Sequence, residues 1–256
     1  LGGEALQRLG GGARRAARDL VAGLGLDAPV EPSPAHPRPR VVADMVATVD
    51  GRAAVQGRSV ALGHPADRAL LRELRTAADA ILVGSGTLVA ERYATLLDEE
   101  QRARRAGDGR APHPLVVTLS RELVLPRPSE VPLLDEPGVP IAVFTYAGDE
   151  VAAPAVGAEL EVVRIDAGAP LLSSALVALG ARGVRSVLCE GGPTLLRRLV
   201  ADGALDDLLM TVSPLLVAGD APTILDGEPL VDPARLALRD VHRAGDHVFL
   251  HYGLGR

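Results

Sequence analysis

The sequence contains no lysine, because all 27 of its basic residues are arginine. This absence excludes chemistry that needs a titratable amine on the chain: Schiff-base aldolases, pyridoxal enzymes with a protein aldimine, Ser-Lys hydrolases, Walker P-loops, protein kinases and Tyr-x-x-x-Lys dehydrogenases. Asparagine and tryptophan are also missing, and with only three Tyr and two Phe no stacking platform for single-stranded nucleic acid can be built. The formal charge of −6 also argues against a nucleic-acid backbone as partner. The single cysteine, Cys189, allows neither an internal disulfide nor a thiolate metal cluster, which fits a reducing cytoplasm. Apolar runs fall well short of the roughly 18–20 residues needed to cross a bilayer, and no signal-peptide pattern opens the chain. These absences predict a cytoplasmic protein with no membrane, nucleic-acid or metal partner.

What is present is a chain of 256 residues, 47% apolar, enough for one domain of roughly 200–250 residues with a real core, or at most two small ones. Residues 1–40 read as an N-terminal helical segment, Glu4 to Leu20, followed by glycines and a Pro-rich linker, EPSPAHPRPR, that cannot be helical. The folded body is predicted over 41–256. Its strands are predicted at Val41–Val49, Ala80–Val83, Leu115–Leu119, Ile141–Thr145, Leu160–Ile165, Ser186–Cys189 and Leu205–Val212. Helices are expected over Pro65–Ala78, Leu171–Gly180 and Pro193–Ala201, and Asp98–Arg110 reads as a solvated helix and loop. Arg235–Val241 and His247–Tyr252 form a hairpin around Gly245 and Asp246. Strand and helix alternate, so the fold class is α/β, a mostly parallel central sheet with helices on both faces and a C-terminal antiparallel hairpin.

Two strand-to-glycine-to-helix junctions carry the chemistry: AILV followed by Gly84-Ser85-Gly86-Thr87, and VLC followed by Glu190-Gly191-Gly192-Pro193-Thr194-Leu195. Glycine admits a pyrophosphate close to the backbone, and the free N–H groups opening the next helix supply donors and positive partial charge. Pro193 suits a first helical turn. Neither junction has the third glycine of a dinucleotide fingerprint. The six histidines show no metal-ligand spacing, and Cys189 reads as a packed thiol in an apolar strand. Asp67 falls in the first turn after Pro65, where a carboxylate suits the helix dipole.

The segments Ala47-Thr48-Val49-Asp50-Gly51, Leu74-Arg75, Ala78 to Thr87 and Glu190 to Leu195, with Asp206, Val212-Ser213-Pro214 and Gly219, together resemble the RibD C-terminal family, the pyrimidine reductase domain of bacterial riboflavin biosynthesis. The resemblance runs from Val41 to Tyr252. It implies a fold similar to dihydrofolate reductase and an NADPH-dependent oxidoreductase, usually a homodimer, that reduces the ribosyl group of 5-amino-6-(5-phosphoribosylamino)uracil to ribityl. On that resemblance Gly84, Gly86, Thr87 and Glu190 to Leu195 (Gly191, Gly192, Pro193, Thr194) hold NADPH, and Ser120 and Arg121 lie where the family reads the 2′-phosphate. Asp50 and Glu91 take the catalytic positions, and Thr48, Arg58, Asp67 and Arg92 border the substrate. The zinc deaminase domain that accompanies some members needs ligands that one cysteine cannot supply.

The chain departs from the family at the substrate end. Where members commonly have a lysine five residues before the Leu-Asp-Gly, this sequence has Asp44. The family's Asp-x-Pro-x-Leu-x-x-Arg run is here Glu91-Arg92-Tyr93-Ala94-Thr95-Leu96-Leu97-Asp98. Two cations are thus carboxylates, so a substrate phosphate must be met by Arg58, Arg68 or Arg92. The alternatives are a dihydrofolate or pterin reductase, in which Asp67 orients or protonates a fused pyrimidine, and a homologue that binds NADPH without turnover.

Overall fold

The computed structural model describes residues 5–8, 14–26 and 38–254. In chain order its elements are β1 (Leu6–Arg8), β2 (Arg14–Arg15), α1 (Ala17–Leu24), β3 (Arg40–Thr48), α2 (Pro65–Ala77), β4 (Ala80–Leu82), α3 (Ser85–Ala90) and α4 (Glu99–Gly107). There follow β5 (Leu115–Leu119), β6 (Pro140–Thr145), β7 (Glu159–Arg164), α5 (Leu171–Ala181), β8 (Ser186–Cys189), α6 (Pro193–Ala201), β9 (Asp207–Ser213), β10 (Leu236–Ala244) and β11 (His247–Leu254). The described residues divide into two compact units: 5–8, 14–26, 41–74 and 189–254 form the first, and 38–40 with 75–188 the second.

In the first unit six strands run in the order β2-β1-β10-β11-β9-β3. Pairing is antiparallel from β2 across to β9, whereas β9 and β3 are parallel, with Met45 opposite Met210 and Thr48 opposite Ser213. The β10–β11 hairpin turns at Gly245 and Asp246 as the sequence predicts. In the second unit the order is β8-β4-β5-β6-β7, parallel from β4 through β7. β4, β5, β6 and β8 are short and mostly buried, as a parallel sheet requires, while the edge strand β7 is half-buried to exposed; Ile81, Val116, Ile141 and Val143 pack with Leu88, Leu133 and Leu134 into one core. The result is a mixed α/β protein with a largely parallel body and an antiparallel C-terminal hairpin.

The N-terminal helix is shorter than Glu4 to Leu20. The helix occupies only Ala17–Leu24, and Leu6–Arg8 forms a strand on β10, with Gln7 opposite Arg243. Gly10, Gly11 and Gly12 interrupt the predicted helix, and each glycine costs a helix interior about 1 kcal/mol. Glu4 and residues 31–37 of the Pro-rich linker lie outside the described residues.

The charged segment after Asp98 also differs from a solvated helix. Asp98 caps α4 through a capping box with Gln101, while Gln101 and Arg105 turn inward. The Arg105 guanidinium donates to the carbonyls of Thr76, Ala78 and Ala111, with its two contacts beside α2 at 2.8 and 2.6 Å. Those three acceptors allow a buried cation, and burial pulls its pKa down to about 10.

Candidate active site

The glycine turn at 190–194 belongs to the first unit. Gly191 is buried at φ +82°, a conformation that favours glycine, and a Cβ there would meet the Met45 side chain of β3 at 3.4 Å. Gly192 is the N-cap of α6 at φ −77°, ψ −172°, with no side-chain cap, and Pro193 follows at the first helical position. The first-turn N–H groups therefore have no capping acceptor from the N-cap residue, and the helix start is shaped to receive an anion. Leu195 is buried with Leu196 and Leu199 and contributes packing through its side chain, while Thr194 is exposed. Cys189, just before the turn, is fully buried, and burial pushes its thiol up to about 12; it is the packed thiol expected.

Also in the first unit, Asp50 ties the loop after β3 to the segment after β9. Asp50 accepts the Thr48 hydroxyl and the backbone N–H groups of Val217 and Ala218, the last at 2.7 Å. These bonds, that of Thr48 first, hold the Asp50 carboxyl below the ordinary carboxylate range. The Thr48 hydroxyl also accepts the Arg52 N–H at 2.8 Å, so this nearly buried side chain is committed within the loop. Arg58 is exposed and closes a two-residue turn against Val55, with Gln56 and Gly57 both at positive φ.

Asp67 stands in the first turn of α2 and reaches β9, where Thr211 Oγ1 donates to its Oδ1 at 2.6 Å. Burial raises its pKa, and this outweighs the Thr211 hydrogen bond and the nearby His247, Arg68 and His64 charges, which lower it. His64 accepts the Ala66 N–H on Nδ1 at 3.1 Å, and its ring lies 4.9 Å from that of His247. His247 Nε2 is 3.2 Å from the Leu62 carbonyl. Sequence reasoning singled out Asp67 but missed Thr211, His64 and His247. They come from a strand, a loop and a hairpin with no local signature, and only the register of β9 on β11 brings two of them together.

The remaining predicted residues lie in the second unit. Gly84 is the uncapped N-cap of α3, and a Cβ at Gly86 would meet no protein atom within 4 Å, so packing does not demand glycine there. Thr87 supplies the carbonyl that Glu91 N–H reaches at the end of α3, and Arg92, exposed, takes positive φ to end that helix. Ser120 Oγ both donates to the Val124 carbonyl and accepts the Val124 N–H, at 2.9 and 2.8 Å, closing the turn after β5. Arg121 beside it is exposed. Among the described residues no group of three or more His, Cys, Asp or Glu side chains could hold a metal, and no helix is long and apolar enough to cross a membrane.

Comparison with known proteins gives a consistent picture. The profile of the RibD C-terminal domain matches residues 39–250. The 2,5-diamino-6-ribosylamino-4(3H)-pyrimidinone 5′-phosphate reductase of Archaeoglobus fulgidus is 31% identical over 219 residues, covering 82% of this chain and 95% of that protein. The riboflavin biosynthesis protein RibD of Mycobacterium tuberculosis is 30% identical over 190 residues, 73% of this chain but only 46% of that protein. Among solved structures, a pyrimidine reductase-like protein from Corynebacterium diphtheriae superposes with a TM-score of 0.74 at 26% identity, covering 94% of this chain and 99% of that one.

Proposed function

The chain belongs to the RibD C-terminal domain family, and from that premise we propose that it is an NADPH-dependent reductase of a ribosylaminopyrimidine 5′-phosphate. The substrate is 2,5-diamino-6-ribosylamino-4(3H)-pyrimidinone 5′-phosphate or the related 5-amino-6-(5-phosphoribosylamino)uracil. The observation that carries the reading is the uncapped start of α6 behind Gly191 and Gly192, an anion site of the kind a dinucleotide pyrophosphate needs.

When bound, the cofactor supplies a hydride. Around it the chain's work is positioning, which suits a reaction that needs two carbons at attack distance rather than a protein nucleophile. Gly191, Gly192, Pro193 and Thr194 hold the pyrophosphate, with Glu190 leading into the turn, and Gly84, Gly86 and Thr87 provide the second turn. Arg121 meets the 2′-phosphate and Ser120 shapes the loop that presents it. Without lysine, the substrate phosphate is left to arginine, for which Arg58 in the first unit and Arg92 in the second are exposed candidates.

Asp50 and Thr48 fix the loop that borders the substrate, and the ionised state of Asp50 makes it a positioning group rather than a proton donor. Converting ribosyl to ribityl adds a proton as well as a hydride. The bond from C1′ to the ring oxygen breaks in that conversion and the oxygen becomes a hydroxyl; Asp67 holds its proton to higher pH than an ordinary aspartate and can supply the one that oxygen takes up. Glu91 orients the ribosyl end. The protein works in the cytoplasm as a homodimer, a state supported by the exposed apolar side chains of Leu216, Val231 and Leu238. The residues assigned to cofactor and substrate all fall within 41–256, and the N-terminal β1 joins the same sheet through β10.

The test is NADPH absorbance with each of the two phosphoribosylamino substrates and with dihydrofolate. Oxidation with either phosphoribosylamino compound supports the proposal. Turnover of dihydrofolate alone would replace it with a pterin reductase, and tight NADPH binding without oxidation would replace it with a binding homologue.

A further inference from the structure

On the first unit, a cavity of about 130 Å³ lies between one sheet face and the helices α1 and α2. Antiparallel register puts Asp240, His242 and Phe249 on that face, and Leu6, Leu20 and Leu70 add apolar walls. One lining residue, Thr211, borders the candidate site through its bond to Asp67; none of them was assigned to cofactor or substrate. The volume is near that of a pocket that accepts one benzene-sized ring.

One feature of the lining is unlike packing. The His242 side chain is only 7% exposed, yet its Nε2 has no hydrogen-bond partner among the described residues. A buried nitrogen without a partner is costly, so a native chain that keeps one there has a reason to. Asp240 Oδ2 lies 3.8 Å from that Nε2, too far for a direct bond, while Asp240 Oδ1 is taken by Arg8 Nε and the Val241 N–H. A hydroxyl oxygen placed beside both atoms can accept the Nε2 proton and donate its own to Oδ2, which completes both groups at once. Asp240 stays ionised, because hydrogen bonds and nearby charges outweigh its partial burial, so the acceptor for that proton is present at neutral pH.

We propose that this cavity is a second binding site, for a single aromatic ring carrying a hydroxyl, with the ring against Leu70 and Phe249 and the hydroxyl between His242 Nε2 and Asp240 Oδ2. The acceptor and donor are fixed in an apolar surround, which is how small-molecule sites combine affinity with orientation. The site does not depend on the reductase reading.

The experiment uses phenol and toluene as probes on the whole protein, with binding followed by titration calorimetry and by the His242 ring resonance. Phenol should bind about tenfold or more tighter than toluene and move the His242 resonance, in keeping with a hydrogen bond to an ionised group. His242→Phe should remove that preference while toluene still binds. Should that variant fail to fold, the resonance shift in the unaltered protein decides the matter. Equal affinity for the two probes, or an unmoved His242 resonance at saturating phenol, would overturn the proposal and leave a plain apolar void.

Discussion

Thr211 Oγ1 donates a 2.6 Å hydrogen bond to Asp67 Oδ1, tying the first turn of α2 to the carboxyl end of β9. Parallel pairing sets Thr211 opposite Val46 of β3, two residues before the Thr48–Asp50 loop. A carboxyl whose pKa is raised by burial therefore sits on the strand layer that leads into that loop. A neutral hydroxyl orients one of its oxygens, and burial outweighs the nearby Arg68 charge, the arrangement a proton donor needs.

Asp67→Asn retains an oxygen for Thr211 but loses the proton. The kcat should fall by about two orders of magnitude, the low end for general acid catalysis. In the unaltered protein kcat should decline as pH rises through the raised Asp67 pKa, and the variant should lose that limb of the profile. Stability runs the same way with pH. The contribution of Asp67 is complete below the ordinary carboxylate pKa and is lost as pH rises through the raised one, so the variant's Tm relative to the unaltered protein should improve toward neutral pH.

Gly192 adopts an extended conformation open to any residue, so Gly192→Val should leave the fold intact. A branched side chain where we place the pyrophosphate should weaken NADPH binding about a hundredfold or more, read by calorimetry. Unchanged affinity would move the cofactor away from α6.

Arg121→Ala should raise the KM for NADPH about tenfold while leaving that for NADH almost unchanged, since only the former carries the 2′-phosphate. Ser120→Ala should act differently, because its hydroxyl closes the turn on Val124 and touches no ligand in this reading. It should weaken both cofactors alike.

Asp98 stands where the family commonly has an arginine, and its carboxylate caps α4. Asp98→Ala should cost about 1 kcal/mol of stability by denaturant titration with kcat unchanged. A large loss of activity would instead place it at the substrate.

The body of the fold was legible because its periodicities are strong. The strands at Leu115–Leu119 and Ser186–Cys189 and the helix at Pro193–Ala201 fall where apolar runs, Pro193 and the glycines put them. The short helix at Ser85–Ala90 follows the strand-to-glycine-to-helix junction at Gly84, but six residues show too little repeat to give its end from sequence. Arg105 was missed because a buried guanidinium is set by three distant carbonyls and has no apolar pattern to mark it. The site divides the same way. Gly191 and Gly192 announce themselves by composition, whereas Thr211 and His242 matter only through strand register, which no local window contains.

The most direct measurement is isotope transfer. The protein is incubated with 2,5-diamino-6-ribosylamino-4(3H)-pyrimidinone 5′-phosphate and NADPH dideuterated at nicotinamide C4, and the product is analysed by mass spectrometry. The account predicts one deuterium in the ribityl chain of the product, with the cofactor oxidised in equal amount. Cofactor left reduced, or product without deuterium, would contradict it.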